Sequence, residues 1–394
     1  MSKLQDAQRV LTESSLDGWL LYDFRHSNPM FWELLESSAH STRRTFLFIP
    51  RSGAPTLLVH QVDAGHFPQE SLTLRLYRSR EEFTGHLSTL LRDSRRVAME
   101  YFPMGGLPTL SWVDAGTKEL VESLGVSVES SAELAQATLC RLDDHQLASH
   151  RRAAQALSHI VQEAFGFIQE NHTKGVGELA VADFIRRRFA ASGLWTDEGP
   201  IVAVNRHTGD PHYVPTAQTS LPIRRGDWVL IDLWAKEAEG TFGDITWVGF
   251  VGESAPVQHQ EVFNVVVGAR DAAVAFLEQE VHAGRYPQGW EVDKVARDFI
   301  AGAGYGDHFT HRLGHSLGPV VHGYGANLDG YETLDTRRLV PGLAFTIEPG
   351  VYLPGRQAGL PEFGVRSEID LYMGETGPEI TSAVQGEIVL IRPD

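Results

Sequence analysis

Cysteine is nearly absent from this chain. Cys140 is the single one among 394 residues, so no intrachain disulfide can form. That fits a reducing compartment, and the cytoplasm is the expected location. No apolar run approaches the roughly 20 residues needed to span a bilayer. Residues Met1 to Thr12 lack a basic stretch followed by an apolar one, so no signal peptide is expected. Basic charge is also scarce. Lys and Arg number 34 against 51 Asp and Glu, a net charge of -17. Such a chain repels phosphate backbones and anionic lipid, which excludes nucleic acid and membrane surfaces as expected partners. Low-complexity tracts and short repeats are lacking too.

What is present is an ordinary globular composition on a chain too long for one core, so two domains are expected. Residues 1–141 read as a small α/β domain. A short helix, Leu4 to Glu13, precedes an apolar strand at 18–22. Strands follow at 45–49 and 56–59, a hairpin pair around Pro50 and a Ser-Gly turn. Another strand at 96–100 and a helix at 112–124 complete it. A second unit starts at Leu142, where Asp143 or Asp144 can cap a long helix with a stripe at Leu147, Ala154, Leu157, Val161, Phe165 and Ile168. Further helices fit 177–191, 259–283 and 290–301. Strands fit 199–204, 228–234, 244–251, 343–348 and 365–373.

Charged and imidazole side chains interrupt these apolar strands. Asp232 breaks a run, 227–234, that is apolar on both faces. Asp244 lies on the next strand, where a hairpin can bring both carboxylates to one face together with Thr246. His315 sits in His311-Arg312-Leu313-Gly314-His315-Ser316-Leu317-Gly318, where glycines permit close backbone approach. Glu348 ends a strand before Pro349-Gly350. Glu368 shares a strand face with Arg366 and Asp370 by alternation. Singly, each has a plain structural use: a carboxylate satisfied by backbone donors or an arginine, a hydrogen-bonded core histidine, a salt-bridge partner. Together they form an oxygen and imidazole donor set without thiolate, which suits Mn, Co, Fe or Zn.

Asp232, Asp244, His315, Glu348 and Glu368, in this order and in these contexts, resemble the ligand motif of the M24 metallopeptidase family, which holds Xaa-Pro dipeptidase (prolidase), aminopeptidase P and methionine aminopeptidase. The resemblance covers most of 142–394. It implies an α/β chain, with an N-terminal creatinase/prolidase-like α/β domain at 1–141 followed by a pita-bread α+β catalytic domain at 142–394. The stretch 20–29 looks like the extra domain of the prolidase branch, which methionine aminopeptidases lack. Two divalent metal ions are implied, Mn first, with Co, Zn and Fe as alternatives, around a bridging hydroxide. Glu348 would accept its proton and deliver it to the leaving nitrogen. His212, in Asp210-Pro211-His212-Tyr213, matches a family histidine that contacts substrate. His322, in Val320-Val321-His322-Gly323, matches one that helps stabilise the tetrahedral intermediate, and Arg366 one that supports the site.

The implied activity is hydrolysis of short peptides, with Xaa-Pro bonds as the first choice. Aminopeptidase P-like and carboxypeptidase-type specificities stand beside it. A metal-independent creatinase-like amidinohydrolase and a non-catalytic binding protein are the remaining alternatives, and both usually lack ligands that this chain keeps. A homodimer is implied as well. Arg25, or Arg43 with Arg44, could clamp a substrate carboxylate. Some positions depart from the family. Asp232 and Asp244 stand one residue further apart than usual, so an insertion or bulge is expected in their turn. Trp234 and Trp247 replace smaller or polar residues and would narrow the pocket. Ser316 replaces a common Gly, and Gly323 a common acid.

Overall fold

Apolar strands organise both halves of the chain. The computed structural model describes residues 2–67, 72–353 and 362–392, and the chain divides into the units Met1–Arg141 and Leu142–Asp394. In the first, six strands form one sheet in the order Thr73–Tyr77, Thr56–His60, Thr45–Pro50, Gly18–Asp23, Arg96–Met99 and Ser127–Ser130. The middle three pair antiparallel and the outer pairs run parallel. Helix Lys3–Thr12 starts at a Ser2–Gln5 capping box, which satisfies two of its orphan amides. Helix Arg80–Leu91 had no counterpart among the expected elements. It buries Phe83, Leu87 and Leu91, one every turn, against the sheet. The helix expected at 112–124 begins only at Ala115, because Asp114 accepts a bond from the Thr117 amide at 2.9 Å and so sets its start.

The second unit carries two four-stranded sheets and a two-stranded ribbon. One sheet runs Val389–Ile391, Gly243–Val251, Trp228–Ala235, Ile201–Val204. The other runs Ser316–Leu317, Ala344–Ile347, Ile369–Gly374, Gly377–Ile380. The ribbon pairs Gly350–Leu353 with Phe363–Arg366. Asp143 caps the helix Asp144–Asn171 by a reciprocal box with Gln146. This helix and Glu178–Ala191 cover one face of the first sheet. Leu157, Val161 and Phe165 meet Ile231, Leu233 and Ile245 there in one buried core. Gly243 allows the closest approach. A Cβ at that position would lie 2.9 Å from the Ala154 nitrogen.

One expectation needs correction. The strand expected at 365–373 is two strands in different ladders, Phe363–Arg366 and Ile369–Gly374. Ser367 and Glu368 form the step between them, and their amides bond to Pro349 and Thr246 carbonyls instead of either ladder. The hairpin carrying both aspartates agrees with an insertion rather than a bulge, as one of the two expected alternatives. Its register is continuous from Trp228↔Phe250 to Ala235↔Gly243, so an extra residue is accommodated in the 236–242 turn.

His150 ties this turn to the rest of the unit. Its Nδ1 lies 2.7 Å from the Phe242 carbonyl and its Nε2 2.7 Å from the Thr381 hydroxyl. Burial pushes its pKa down from 6.5 to about 4, against the opposing pull of the Phe242 carbonyl. As pH falls through this window the unfolded chain takes up a proton that the folded chain refuses. Stability is therefore complete above the unfolded value and declines on acidification. By about pH 5 the loss from this group is about 2 kcal/mol. Urea unfolding of wild type and His150→Gln near neutrality and near pH 5 tests this. The stability gap between the two pH values should be narrower in the variant.

Candidate metal centre

Antiparallel pairing builds half of the site. Asp232 stands opposite Thr246, and Asp244 opposite Trp234. Directly paired residues share a face, as do residues two apart, so all four project from the same side of the sheet. The other side carries Ile231, Leu233, Ile245 and Trp247 into the helix-covered core. Trp247 thus packs away from the site, contrary to expectation, because it is offset by one residue from Thr246. Trp234 stays on the site face, with the far edge of its indole against Gly199.

The other half comes from the second sheet. Strand Ser316–Leu317 lies beside Ala344–Ile347, which puts His315 next to Thr346 and Glu348. Gly314 is required here, since a Cβ would fall 2.1 Å from the Thr346 carbonyl oxygen. The His315 amide donates to Thr346 Oγ1 at 3.0 Å, and that hydroxyl reaches Glu348 Oε1 at 3.3 Å. Thr246 does the matching work for the last acid. It accepts from Arg366 Nε at 3.0 Å and donates to Glu368 Oε2 at 2.6 Å. Each threonine is two residues from a proposed ligand, Asp244 or Glu348, so alternation was the available signal. Alternation along the strand puts Thr246 on that face, and the same two-residue spacing before Glu348 marks Thr346.

The side chains converge. His315 Nε2 lies 3.6 Å from Asp244 Oδ2 and 3.5 Å from Glu348 Oε1. Asp244, His315 and Glu368 present ligand atoms all within 4.8 Å of one another. Asp244 Oδ1 is buried with no hydrogen-bond partner. Asp232 joins through Arg366, whose Nη2 contacts its carboxylate. Arg366 also reaches the Tyr352 hydroxyl at 3.4 Å, and His311 Nε2 is 2.9 Å from the same oxygen. Tyr352 and His311 extend the network beyond anything read from sequence. Asp370 supports Asp244 from behind, accepting its backbone amide on both oxygens at 3.1 Å.

Electrostatics says what this pocket can hold. Burial, then Glu368, Asp232, Asp370 and Glu348, drives the Asp244 carboxyl well above its ordinary range. Burial and the neighbouring Glu348 and Asp232 do the same to Glu368. Burial raises Glu348 to about 7, against the pull of Arg366 and Arg312. Asp232 is raised by burial and held back by Arg366. His315 is driven well down by burial, then by His322 and Arg312, which keeps its imidazole neutral as a ligand must be. Arg366 and Arg312 face Asp232, Asp244, Glu348, Glu368 and Asp370, so acidic groups outnumber the guanidinia. The unpaired Asp244 oxygen and this all-oxygen-and-imidazole donor set fit divalent cations.

The two further histidines lie at the surface. His212 follows the turn at Asp210-Pro211, its amide bonded to Asp210 Oδ1 at 3.0 Å. Its charge is felt at both Asp232 and His322. The His322 ring meets His315 edge-on at 4.4 Å, and its pKa is lowered by the protein packed around it, then by Arg312 and His212. In the first unit, Arg44 stacks over Phe83 at 4.3 Å and so serves that unit's own packing. Arg25 is exposed, over Phe24 at 5.2 Å.

Protons and cations should compete for this centre. With the Glu348 carboxyl raised to about 7 and that of Asp244 driven well above its ordinary range, binding a cation must expel protons. Affinity of demetallated protein for Mn²⁺ should rise with pH between about 6 and 8, by about tenfold per unit for each proton released. Titration calorimetry in buffers of different ionisation heat counts those protons. An affinity flat across this range would show that the acids are already ionised without metal.

Comparison with known proteins adds to this geometry. A family model, Metallopeptidase family M24, matches residues 148–375, which include all five converging side chains. A protein described as "Putative dipeptidase YkvY", from Bacillus subtilis, is 29% identical over 250 residues. That stretch is 63% of this chain and only 62% of the relative's own length. The fold is similar to the crystal structure of dipeptidase PepE from Mycobacterium ulcerans, with TM-score 0.76 and 22% identity over 99% of this chain and 97% of that one. It is also similar to the prolidase from Pyrococcus horikoshii OT3, with TM-score 0.68 and 24% identity over 99% and 100%. At these identities the two structures speak for the fold alone, a pita-bread catalytic half preceded by an α/β half.

Proposed function

The chain belongs to metallopeptidase family M24, and from that premise we propose that it hydrolyses short peptides at Xaa-Pro bonds with a dinuclear divalent metal centre. The observation that carries the reading is the convergence of Asp244, His315 and Glu368, with Glu348 on the same imidazole nitrogen. Asp232, Asp244, His315, Glu348 and Glu368 are the proposed ligands of two cations, Mn first, with Co, Zn or Fe as alternatives. Bound cations supply Lewis acidity for the scissile carbonyl and acidify water.

The chain's own residues do the rest. Glu348 takes the proton of the attacking water on its carboxylate and returns it to the leaving nitrogen. Its position suits the task, because Thr346 fixes one oxygen while burial already favours the protonated form. His212 and His322 donate hydrogen bonds to substrate and to the oxygen that gains charge. Arg366 holds Asp232 and, through Thr246, Glu368.

Substrate choice rests on less. The similar protein from Bacillus subtilis is described as a putative dipeptidase, which favours dipeptides. The imide nitrogen of Xaa-Pro has no hydrogen to offer, so a pocket must grip it by shape. Trp234, on the site face, can supply such a wall. A homodimer working in the cytoplasm is the assembly in keeping with this reading.

Three measurements test it. Exhaustive chelation should abolish hydrolysis of Ala-Pro, and Mn, Co or Zn should restore it. Full activity without metal would return the creatinase-like alternative. His315→Ala should lose metal, while His322→Ala should keep metal and lose on the order of 10²-fold in kcat. Equal metal loss in both would contradict these roles. Finally, cleavage of Ala-Pro but not Ala-Pro-Ala would mark a dipeptidase, and preference for the tripeptide an aminopeptidase.

A further inference from the structure

We propose that Glu178 is a positioning residue that holds the 205–221 loop so that His212 faces the site. This rests on the role proposed above for His212. Glu178 is the first residue of the helix Glu178–Ala191 and is completely buried. A buried carboxylate is costly unless donors surround it. Four do. The Val204 amide and His207 Nδ1 reach Oε1, each at 2.8 Å. The Tyr213 hydroxyl and the Leu221 amide reach Oε2, each at 2.7 Å. None of these donors belongs to its own helix. They lie just before the loop, near its start, near its middle and at its end.

Asn205 and Thr208 tie the start of the loop, a 3₁₀ turn at Asn205–Gly209, to Asp227 and Gly364. Beyond that turn, 210–221 has no regular structure, so side-chain bonds must fix the part that carries His212. His207 and Tyr213 stack at 4.1 Å, and both bond to Glu178. The bond from His207 needs its proton on Nδ1, because an ionised carboxylate can only accept. The Glu178 amide answers by donating to the Leu221 carbonyl at 3.1 Å. Among the described residues, nothing hydrogen-bonds the His212 imidazole. Its direction must come from the backbone, and the adjoining Tyr213 is the residue that Glu178 grips. A simpler helix start would need only a serine cap. A carboxylate that serves the loop and none of its own helix amides points to the loop as its purpose.

The test combines a double-mutant cycle with hydrogen exchange on the metal-loaded protein. Tyr213→Phe deletes one hydroxyl and keeps the ring stack. Glu178→Gln replaces two acceptor sites by donors. Each should lower kcat/KM for Ala-Pro by on the order of tenfold, and each should change it by less than about twofold when His212 is already alanine. Metal content should not change. Amides of 205–221 should exchange faster, while those of 243–251 stay protected. Equal losses in both backgrounds, or loss of metal, would show a general structural role and overturn the proposal. Unchanged exchange in the loop would overturn it whatever the kinetics. A fully active His212→Ala enzyme would instead remove the proposed role of His212, and the exchange result would still decide whether Glu178 orders the loop. Should Glu178→Gln fail to fold, Tyr213→Phe carries the same comparison.

Discussion

Mutual repulsion among buried carboxylates is the constraint around which the second unit is arranged. Asp232, Asp244, Glu348 and Glu368 are brought within reach of one imidazole and one guanidinium. No fold would gather such groups for stability alone, since each carries a desolvation cost that its like-charged neighbours increase. The gathered charge is the binding energy offered to cations. Its strain appears in the elevated proton affinities of Asp244 and Glu368, both buried and both facing further acids.

The scaffold resists that repulsion by rigid means. Asp232 and Asp244 are fixed by a hairpin whose register is unbroken for eight pairs, and one face of that hairpin is cemented to two helices. A slip of either strand by one residue would turn its acid into the helix-covered core. Small hydroxyls then aim the glutamates. Thr246 and Thr346 each join a backbone or guanidinium donor to a carboxylate oxygen, so the second sheet delivers its acids already oriented. Gly314 lets His315 come that close.

Buried charge outside the proposed metal ligands follows the same logic at lower risk. Arg270 is almost fully buried, donating to Ser367 at 2.7 Å and to the Gln385 carbonyl at 2.8 Å. Gln385 in turn pairs with the Val248 backbone on both its amide groups. The step at 367–368, which leaves both ladders, is thereby anchored to the strand that carries Asp244. Glu178 does comparable work for the loop that carries His212. In each case an ionic group with several well-made bonds replaces the regular hydrogen-bond ladder that a loop or step cannot have.

Local chemistry determined much from sequence alone. Apolar runs and alternation located the strands around Asp232, Asp244 and Glu348, and the pair Asp143-Asp144 marked the start of a long helix, with the structure choosing Asp143 as its cap. The shared face of Asp232, Asp244 and Thr246 follows from period-two geometry, which needs only two paired strands. Where elements break was decided elsewhere. Nothing in residues 365–373 signals the change of ladder at Ser367, because both halves are apolar enough to be strands and only the neighbouring sheets select the step. Trp247, by contrast, is one residue from Thr246 on the same strand, so alternation already turns it away from the face of Asp244. The partners of Glu178, Arg270 and Tyr352 come from distant segments, and sequence spacing carries no information about contacts made across sheets. Residue type and period therefore named the proposed ligands, while packing alone decided which hydroxyls, imidazoles and guanidinia would hold them in place.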